Sequence, residues 1–291
     1  MSDTRTAVDE PLAVVCGRGS LPYAVADAII GRGRPVTLFP IVGWADREAV
    51  ARYPHYWIAL GQFGRFRRLM ASQGCREVIL IGGLTRPSIQ QIKLDWTTLR
   101  LLPRIVRAFR GGDDHLLSGI AAIFAHAGFR VVGAHEVAPE ILAPAGPLGE
   151  RQPTARDQAD IDRGLAVLSA IGPFDVGQAA VVADGRVLAV EAAEGTDAML
   201  ARIADMRRQG RLDGKSGVGV LVKAPKPGQD RRFDLPTIGP TTIDASGRAG
   251  LAGVAVMAGA TLIADHDAVV AAANRANLFV VGTREQAAGP E

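Results

Sequence analysis

The 291-residue chain is 48% hydrophobic and 22% charged, with a formal net charge of +3. That balance excludes a disordered chain, and it lacks the cation-rich stripe of a nucleic-acid binder, so no nucleic-acid partner is expected. The two cysteines, Cys16 and Cys75, sit far apart in apolar runs; they suit small buried hydrophobes in a reducing, cytoplasmic setting better than a disulfide framework or a zinc site.

From the N-terminus, segments of strand and helix character alternate. Residues 12–16 (LAVVC) read as a buried strand too short for a signal-peptide core. Ser20 caps a helix over the following LPYAVADAIIGRG, and 35–41 forms a second strand. Residues 56–60 (YWIAL) are a candidate third strand, followed by a helix at 63–73 and a strand at 76–83 ending in a glycine pair. Helices over 99–109 and 114–127 and a strand at 129–134 complete a βα alternation, which implies a parallel sheet covered by helices on both faces. Pro139, Pro144, Pro147 and Pro153 mark a linker.

Beyond the linker, Thr154 and Asp157 have the spacing of a capping box, starting a helix to about Ile171. Residues 178–192 read as a hairpin turning at Asp184-Gly185. A helix from Thr196 to about Gln209 and a buried strand at 217–224 follow, then a polar segment over 225–242. The chain closes with a helix at 248–258, a strand at 261–264, a helix at 266–275 and a strand at 278–282. The expected organisation is a parallel-sheet α/β domain over 1–138, a Pro-rich linker over 139–153 and a second α/β domain over 154–291. No stretch approaches the ~18 apolar residues that span a bilayer, though contact with a membrane surface stays open.

Several clusters have residues suited to phosphate chemistry. Gly17, Gly19 and Ser20 join the first strand to a helix, where backbone N–H groups and the helix N-terminus favour an anion. Pro22 and the lack of an acid after the second strand argue against a nicotinamide cofactor, and a ligand-free tight turn remains open. Gly82 and Gly83 end another strand, and the carboxyl ends of such strands are where ligands lie. Asp113 and Asp114 either bind a metal or a sugar hydroxyl, or cap a helix. Glu191, Glu194, Gly195, Thr196 and Asp197 join a strand end to a helix start; the three acids are read as half of a metal site, or Thr196 or Asp197 as a simple helix cap.

The segment from Lys223 to Thr242 is the most informative. It places Lys223, Lys226, Gln229, Asp230, Arg232, Asp234, Thr237 and Gly239 in one proline-stiffened stretch anchored by a buried strand. Carboxylates there can hold a divalent cation or activate water, and the cations can stabilise phosphoryl charge. A solvated surface loop would have the same composition. The five histidines show no ligand spacing, and neither a P-loop lysine motif nor a Gly-x-Ser-x-Gly elbow occurs.

In order, CGRGSLP, LIGGLTRP, RGGDDHLL, EAAEGTDAML and VKAPKPGQDRRFDLPTIGPTT resemble the LpxI family over nearly the whole chain. The resemblance implies a two-domain hydrolase of lipid A biosynthesis, with a Rossmann-like parallel-sheet N-terminal domain over 1–138 and a distinct catalytic α/β domain over 154–291, that cleaves UDP-2,3-diacylglucosamine to UMP and 2,3-diacylglucosamine 1-phosphate, lipid X. It further implies water attack on the β-phosphorus and help from Mg²⁺ or Mn²⁺. Under it, Asp230 and Asp234 are the expected metal ligands or water activators. Lys223, Lys226 and Arg232 would stabilise charge, and Gln229 and Thr237 would position oxygens. Peripheral contact with the inner membrane and a homodimer stay open, as do a nicotinamide-dependent oxidoreductase and a lipid or nucleotide carrier as alternative functions.

Overall fold

The computed structural model describes residues 10–84, 92–108, 113–212 and 217–284, except for the side chains of 107–118. The chain divides into two units, one of residues 1–140 with Asp230–Phe233, the other of 141–229 with 234–291.

The first unit contains β1 (Leu12–Cys16), α1 (Leu21–Gly31), β2 (Val36–Pro40), α2 (Arg47–Val50), α3 (Phe63–Ser72) and β3 (Glu77–Ile81). It continues with α4 (Trp96–Ala108), α5 (Asp113–His126), β4 (Arg130–Val131) and α6 (Ala134–Val137). The strands form one parallel four-stranded sheet in the order β2-β1-β3-β4. Alternation along β1 explains the layering: Ala13 faces a cluster built with Phe39, Phe66, Met70 and Phe124, while Leu12 and Val14 are buried on the opposite side. Edge-to-face packing of Phe39 on Phe66, at 4.9 Å between centroids, and of Phe63 on Phe124, at 5.3 Å, fixes α3 and α5. Phe233 packs against the same cluster and anchors the 230–233 turn in this unit.

Glu77, buried at the start of β3, ties the strand ends together. It accepts from Arg34 at 2.8 Å and from Arg130 Nε at 2.7 Å. Burial alone raises its carboxyl pKa, but the two arginines outweigh burial and hold it below its ordinary value.

Two expectations for this unit need correction. The YWIAL stretch is no strand: Ile58 and the neighbouring His55 make only isolated bridges, to Ile41 and Leu38. Ser20 does not cap α1 through its side chain; its backbone is already helical, and Pro22 occupies the opening turn.

The second unit holds β5 (Gly146–Pro147), α7 (Ala155–Ile171), β6 (Ala179–Ala183), β7 (Arg186–Val190), α8 (Gly195–Arg208) and β8 (Val220–Lys223). After these come β9 (Thr237–Ile238), α9 (Pro240–Arg248), β10 (Gly253–Met257), β11 (Leu262–Ile263), α10 (His266–Arg275) and β12 (Phe279–Thr283). A six-stranded sheet runs β5-β12-β10-β8-β6-β7, and β11 pairs with β9 apart from it. Strands β8, β10 and β12 are parallel, whereas β5, β6 and β7 pair antiparallel with their neighbours.

Period-2 alternation divides the sheet's side chains between two cores. Val181, Leu221, Val254 and Val280 meet residues of α8, α9 and α10, while Val220, Val222, Ala255 and Phe279 meet Ile161 and Leu168 of α7. The capping box forms as expected, with Thr154 and Asp157 bonding reciprocally. The hairpin turn forms too, with Asp184 and Gly185 both left-handed, at φ 54° and 70°. Asp160, almost fully buried in α7, accepts from both turn amides, Asp184 N at 3.0 Å and Gly185 N at 2.7 Å.

The helix expected at 248–258 is instead the strand β10, preceded by α9 starting at Pro240. Pairing with β8 and β12 on both sides overrides the alanine-rich helical reading. The proline-rich stretch expected to be a linker contributes β5 to the sheet edge. No described helix is long and apolar enough to cross a membrane.

Candidate functional site

In the second unit, β8 ends at Lys223, whose side chain the strand's alternation carries into the interior. Lys223 is 7% exposed. Its Nζ donates to Thr196 Oγ1 at 3.0 Å and to the Thr237 carbonyl at 3.0 Å. Burial depresses the ammonium pKa, and the charges of Glu191, Asp197 and Asp234 oppose that shift. An ammonium has three N–H bonds, and two of them are taken by these partners.

The network runs on from Thr196, at the N-terminal turn of α8. Its hydroxyl donates to Glu191 Oε1 at 2.9 Å, and Glu191 Oε2 accepts from Gln178 N at 3.0 Å. The Gln178 side chain in turn donates to Asp234 Oδ2 at 2.7 Å. That oxygen also accepts from Gln229 Nε2, while Gln229 Oε1 accepts from Lys226 N at 3.1 Å. Gly177 makes room for Glu191: a Cβ there would stand 2.6 Å from the glutamate Cγ and 2.6 Å from its carbonyl oxygen. One connected set therefore holds a buried cation, two carboxylates and two amides whose orientations are fixed by one another.

The other expected residues of this unit lie outside that set or enter it differently. Thr237 contributes its carbonyl, while its hydroxyl turns to the Leu235 carbonyl at 3.3 Å. Lys226 is ion-paired with Asp175. Glu194 is exposed and pairs with Arg202 at 2.9 Å; its pKa is lowered first by its own backbone N–H and then by that arginine. Asp197 is exposed in the first turn of α8. Gly195 opens that helix at φ 81°, and Gly239 precedes α9 in extended backbone.

In the first unit, Asp230 and Arg232 form a tight turn. Arg232 donates through its backbone N at 3.1 Å and through Nε and Nη2 at 3.0 and 2.6 Å. These bonds, above all, hold the Asp230 carboxyl below its usual range, and the Arg232 guanidinium also lies 5.4 Å from the Phe233 ring centroid. The structure thus commits Arg232 to Asp230 and distributes Asp230 and Asp234 between different units.

Gly17, Gly82 and Gly83 do come together at the carboxyl ends of β1 and β3, but as a closed backbone clasp. Arg18 and Gly83 exchange N–H···O bonds at 2.9 and 3.0 Å. A Cβ on Gly17 would stand 2.6 Å from the Gly83 carbonyl oxygen, and one on Gly82 2.8 Å from Gly17 N. Close approach of two loops is reason enough for glycine there. Gly19, by contrast, at φ 97° with open space beside it, leaves the N-terminus of α1 accessible. Asp113 and Asp114 open α5, and their side chains lie outside the described residues.

A divalent cation requires several oxygen ligands. Among the described residues no group of three or more His, Cys, Asp or Glu side chains could hold one. Asp230 is engaged by Arg232, and one Asp234 oxygen is occupied by two amides. The expected pair alone supplies too few oxygens for a metal site.

Comparison with known proteins puts this arrangement in context. The model of the LpxI N-terminal domain matches residues 11–141, and that of the LpxI C-terminal domain matches 144–281. The chain belongs to the LpxI family. UDP-2,3-diacylglucosamine pyrophosphatase LpxI of Caulobacter vibrioides is 42% identical over 275 residues, covering 94% of this chain and 98% of the relative. Solved structures give only distant likenesses. The UDP-glucose 4-epimerase of Thermus thermophilus is 13% identical over 95% of this chain and 86% of its own, with a TM-score of 0.30. The Stenotrophomonas maltophila UDP-glucose-4-epimerase is 14% identical over 50% and 40%, with a TM-score of 0.27.

Of the residues that order this LpxI site, sequence reading does not select Gln178, and it groups Glu191 with Glu194 and Asp197 rather than with Gln178. Gln178 and Glu191 lie at the base of the hairpin, and antiparallel pairing of β6 and β7 brings them together across thirteen positions. The usable signal is the hairpin itself: a polar residue just outside each end of an apolar ladder ends up beside its counterpart.

Proposed function

We propose that this chain is a UDP-2,3-diacylglucosamine pyrophosphatase, releasing UMP and 2,3-diacylglucosamine 1-phosphate in lipid A biosynthesis. Family membership and the 42% identity to the Caulobacter vibrioides enzyme support the activity. The structural observation behind the chemistry is the buried Lys223 ammonium, held by Thr196 and the Thr237 carbonyl beside the Glu191–Gln178–Asp234 chain.

In this reading, the third N–H of Lys223 donates to a phosphoryl oxygen. A preorganised cation in a water-poor setting stabilises the negative charge that grows there as the bridge breaks. Asp234 accepts a proton from the attacking water, and Gln178 and Gln229, both donating to its Oδ2, fix the orientation of the carboxylate. Water adds its oxygen to the β-phosphorus, the bond from that phosphorus to the bridging oxygen breaks, and UMP leaves with the bridging oxygen. Asp230 and Arg232 act as a pair that shapes the 230–233 turn. Free, buried Cys16 and Cys75, with thiol pKa values pushed by burial to about 12 and about 11, suit a reducing cytoplasm.

The test is turnover of UDP-2,3-diacylglucosamine by the purified chain in ¹⁸O-water. UMP release with the label in the sugar 1-phosphate is the expected result. Label in UMP would overturn the β-phosphorus assignment, and no UMP at any Mg²⁺ or Mn²⁺ concentration would overturn the activity. The same titration after chelation reads the metal dependence directly.

A further inference from the structure

Helix α4 breaks the rule that a helix on a protein surface has one apolar face. Its inward positions are apolar enough, with Thr98 buried and Leu101, Leu102 and Ile105 half-buried. Yet its outward positions 96, 99, 103 and 106, at helical spacing, carry Trp96, Leu99, Pro103 and Val106. Trp96 is 66% exposed, a value that excludes a core role for the largest side chain of the segment. Leu94, just before the helix, is likewise exposed.

Charge completes the pattern. Between residues 92 and 108 the chain carries Lys93, Arg100, Arg104 and Arg107 against Asp95 alone. Asp95 is turned to structural work: its oxygens accept from Arg65 N at 3.0 Å, Thr98 N at 2.8 Å and Thr98 Oγ1 at 2.9 Å. Arg100 and Arg104 are exposed on the same outward side, and the Arg100 guanidinium lies 5.3 Å from the Trp96 ring centroid. The face is therefore apolar and uniformly cationic.

We infer that the outward face of α4 docks on an anionic lipid bilayer, with Trp96 and Leu99 entering the interface and Arg100 and Arg104 meeting lipid phosphates. A tryptophan ring beside arginines is the composition that settles at headgroup depth, where arginine stems lie along apolar surface and the charged ends reach phosphate. No described helix is long enough to cross the bilayer, so the helix lies in its plane. This inference stands apart from the hydrolase reading, because it rests on α4 alone.

The experiment is co-sedimentation of the full chain with vesicles of phosphatidylcholine alone and of phosphatidylcholine mixed with phosphatidylglycerol, at low and high salt. Wild type is expected to bind the mixed vesicles only and to be released by salt. Each arginine near an anionic surface accounts for roughly fivefold in affinity, so R100Q/R104Q should weaken binding about 25-fold. W96S/L99S should weaken it by at least about tenfold. UMP release from detergent-dispersed substrate should be unchanged in both variants.

Binding to both vesicle types alike, or to neither, overturns the proposal, as does unaltered binding by both variants. Loss of turnover on dispersed substrate with vesicle binding intact would assign the face to the substrate's acyl chains instead. A change in oligomeric mass with vesicle binding intact would assign it to a second copy of the chain. Failure of the hydrolase reading would leave the vesicle result untouched.

Discussion

Replacing Lys223 by methionine isolates the group on which the chemistry turns. The volume change is small and the apolar stem is retained, while the ammonium and its bonds to Thr196 and Thr237 are lost. A hydrogen bond to a charged group contributes about 1.5–3 kcal/mol, but removing a buried charge also relieves its desolvation, so the net change in folding stability should be small. Turnover has no such offset. Loss of a preorganised donor at developing phosphoryl charge costs ~3–4 kcal/mol, a fall of roughly 10²–10³ in kcat. The assay is UMP release at saturating UDP-2,3-diacylglucosamine across pH, with circular dichroism as the check on folding.

Lys223 must be protonated to act and burial lowers its pKa, so the wild-type rate should fall on the alkaline side, below the ordinary value of 10.5, and K223M should lack that limb. The same shift has a stability consequence. Between the depressed folded value and 10.5 the unfolded chain holds a proton that the folded chain does not, so wild-type stability should gain with rising pH in that window, and K223M should lose the gain. A K223M rate within about threefold of wild type at every pH, with the fold intact, would refute the role given to this lysine; a loss set beside the ~10² expected from one donor is too large to miss.

Further expectations bear on the surroundings. Q178A, which removes one of the two amides that donate to Asp234 Oδ2, should lower kcat by about tenfold with little change in KM, and Q178E should not restore it, because a carboxylate has no N–H to donate. E77Q should cost about 2–3 kcal/mol in denaturant unfolding, since it removes the charge that Arg34 and Arg130 share. The folded Glu77 pKa is depressed, so its contribution is present above the ordinary value of 4.5 and is lost as pH falls through the folded value; the E77Q chain should show a shallower acid limb of stability. Equal acid limbs would remove Glu77 from that account.

The parts of the fold legible in the sequence are those written locally. The Thr154–Asp157 capping box, the Asp184-Gly185 turn and the run of β1 each depend on a few adjacent residues, and each forms at its expected place. The second unit's C-terminal portion misleads because GLAGVAVMA has helical composition; only the flanking strands β8 and β12, distant in sequence, make it a strand. Pro240 is the local signal that counts against that reading, a proline at the first turn of α9.

The candidate site is legible in residue types and less so in partnerships. Lys223, Thr196, Gln229 and Asp234 join one network. Glu191, Glu194 and Asp197 look alike as three acids at one turn, but the structure bonds Glu191 to the Thr196 hydroxyl and leaves Glu194 with Arg202. Asp230 and Asp234 look like one acidic pair at a spacing of four. Arg232, between them, takes the first, and two glutamines take the second. Which partner a carboxylate finds depends on tertiary contacts that composition does not record.

The most direct measurement for the chemistry is kcat for UMP release by D234N against wild type, at saturating substrate and with thermal unfolding compared in parallel. Asparagine keeps the shape but cannot take a proton from water, so a fall of at least roughly 10² is expected with an unchanged fold. A D234N rate close to that of wild type would contradict the account, because the amides of Gln178 and Gln229 would then be holding a group the reaction does not use.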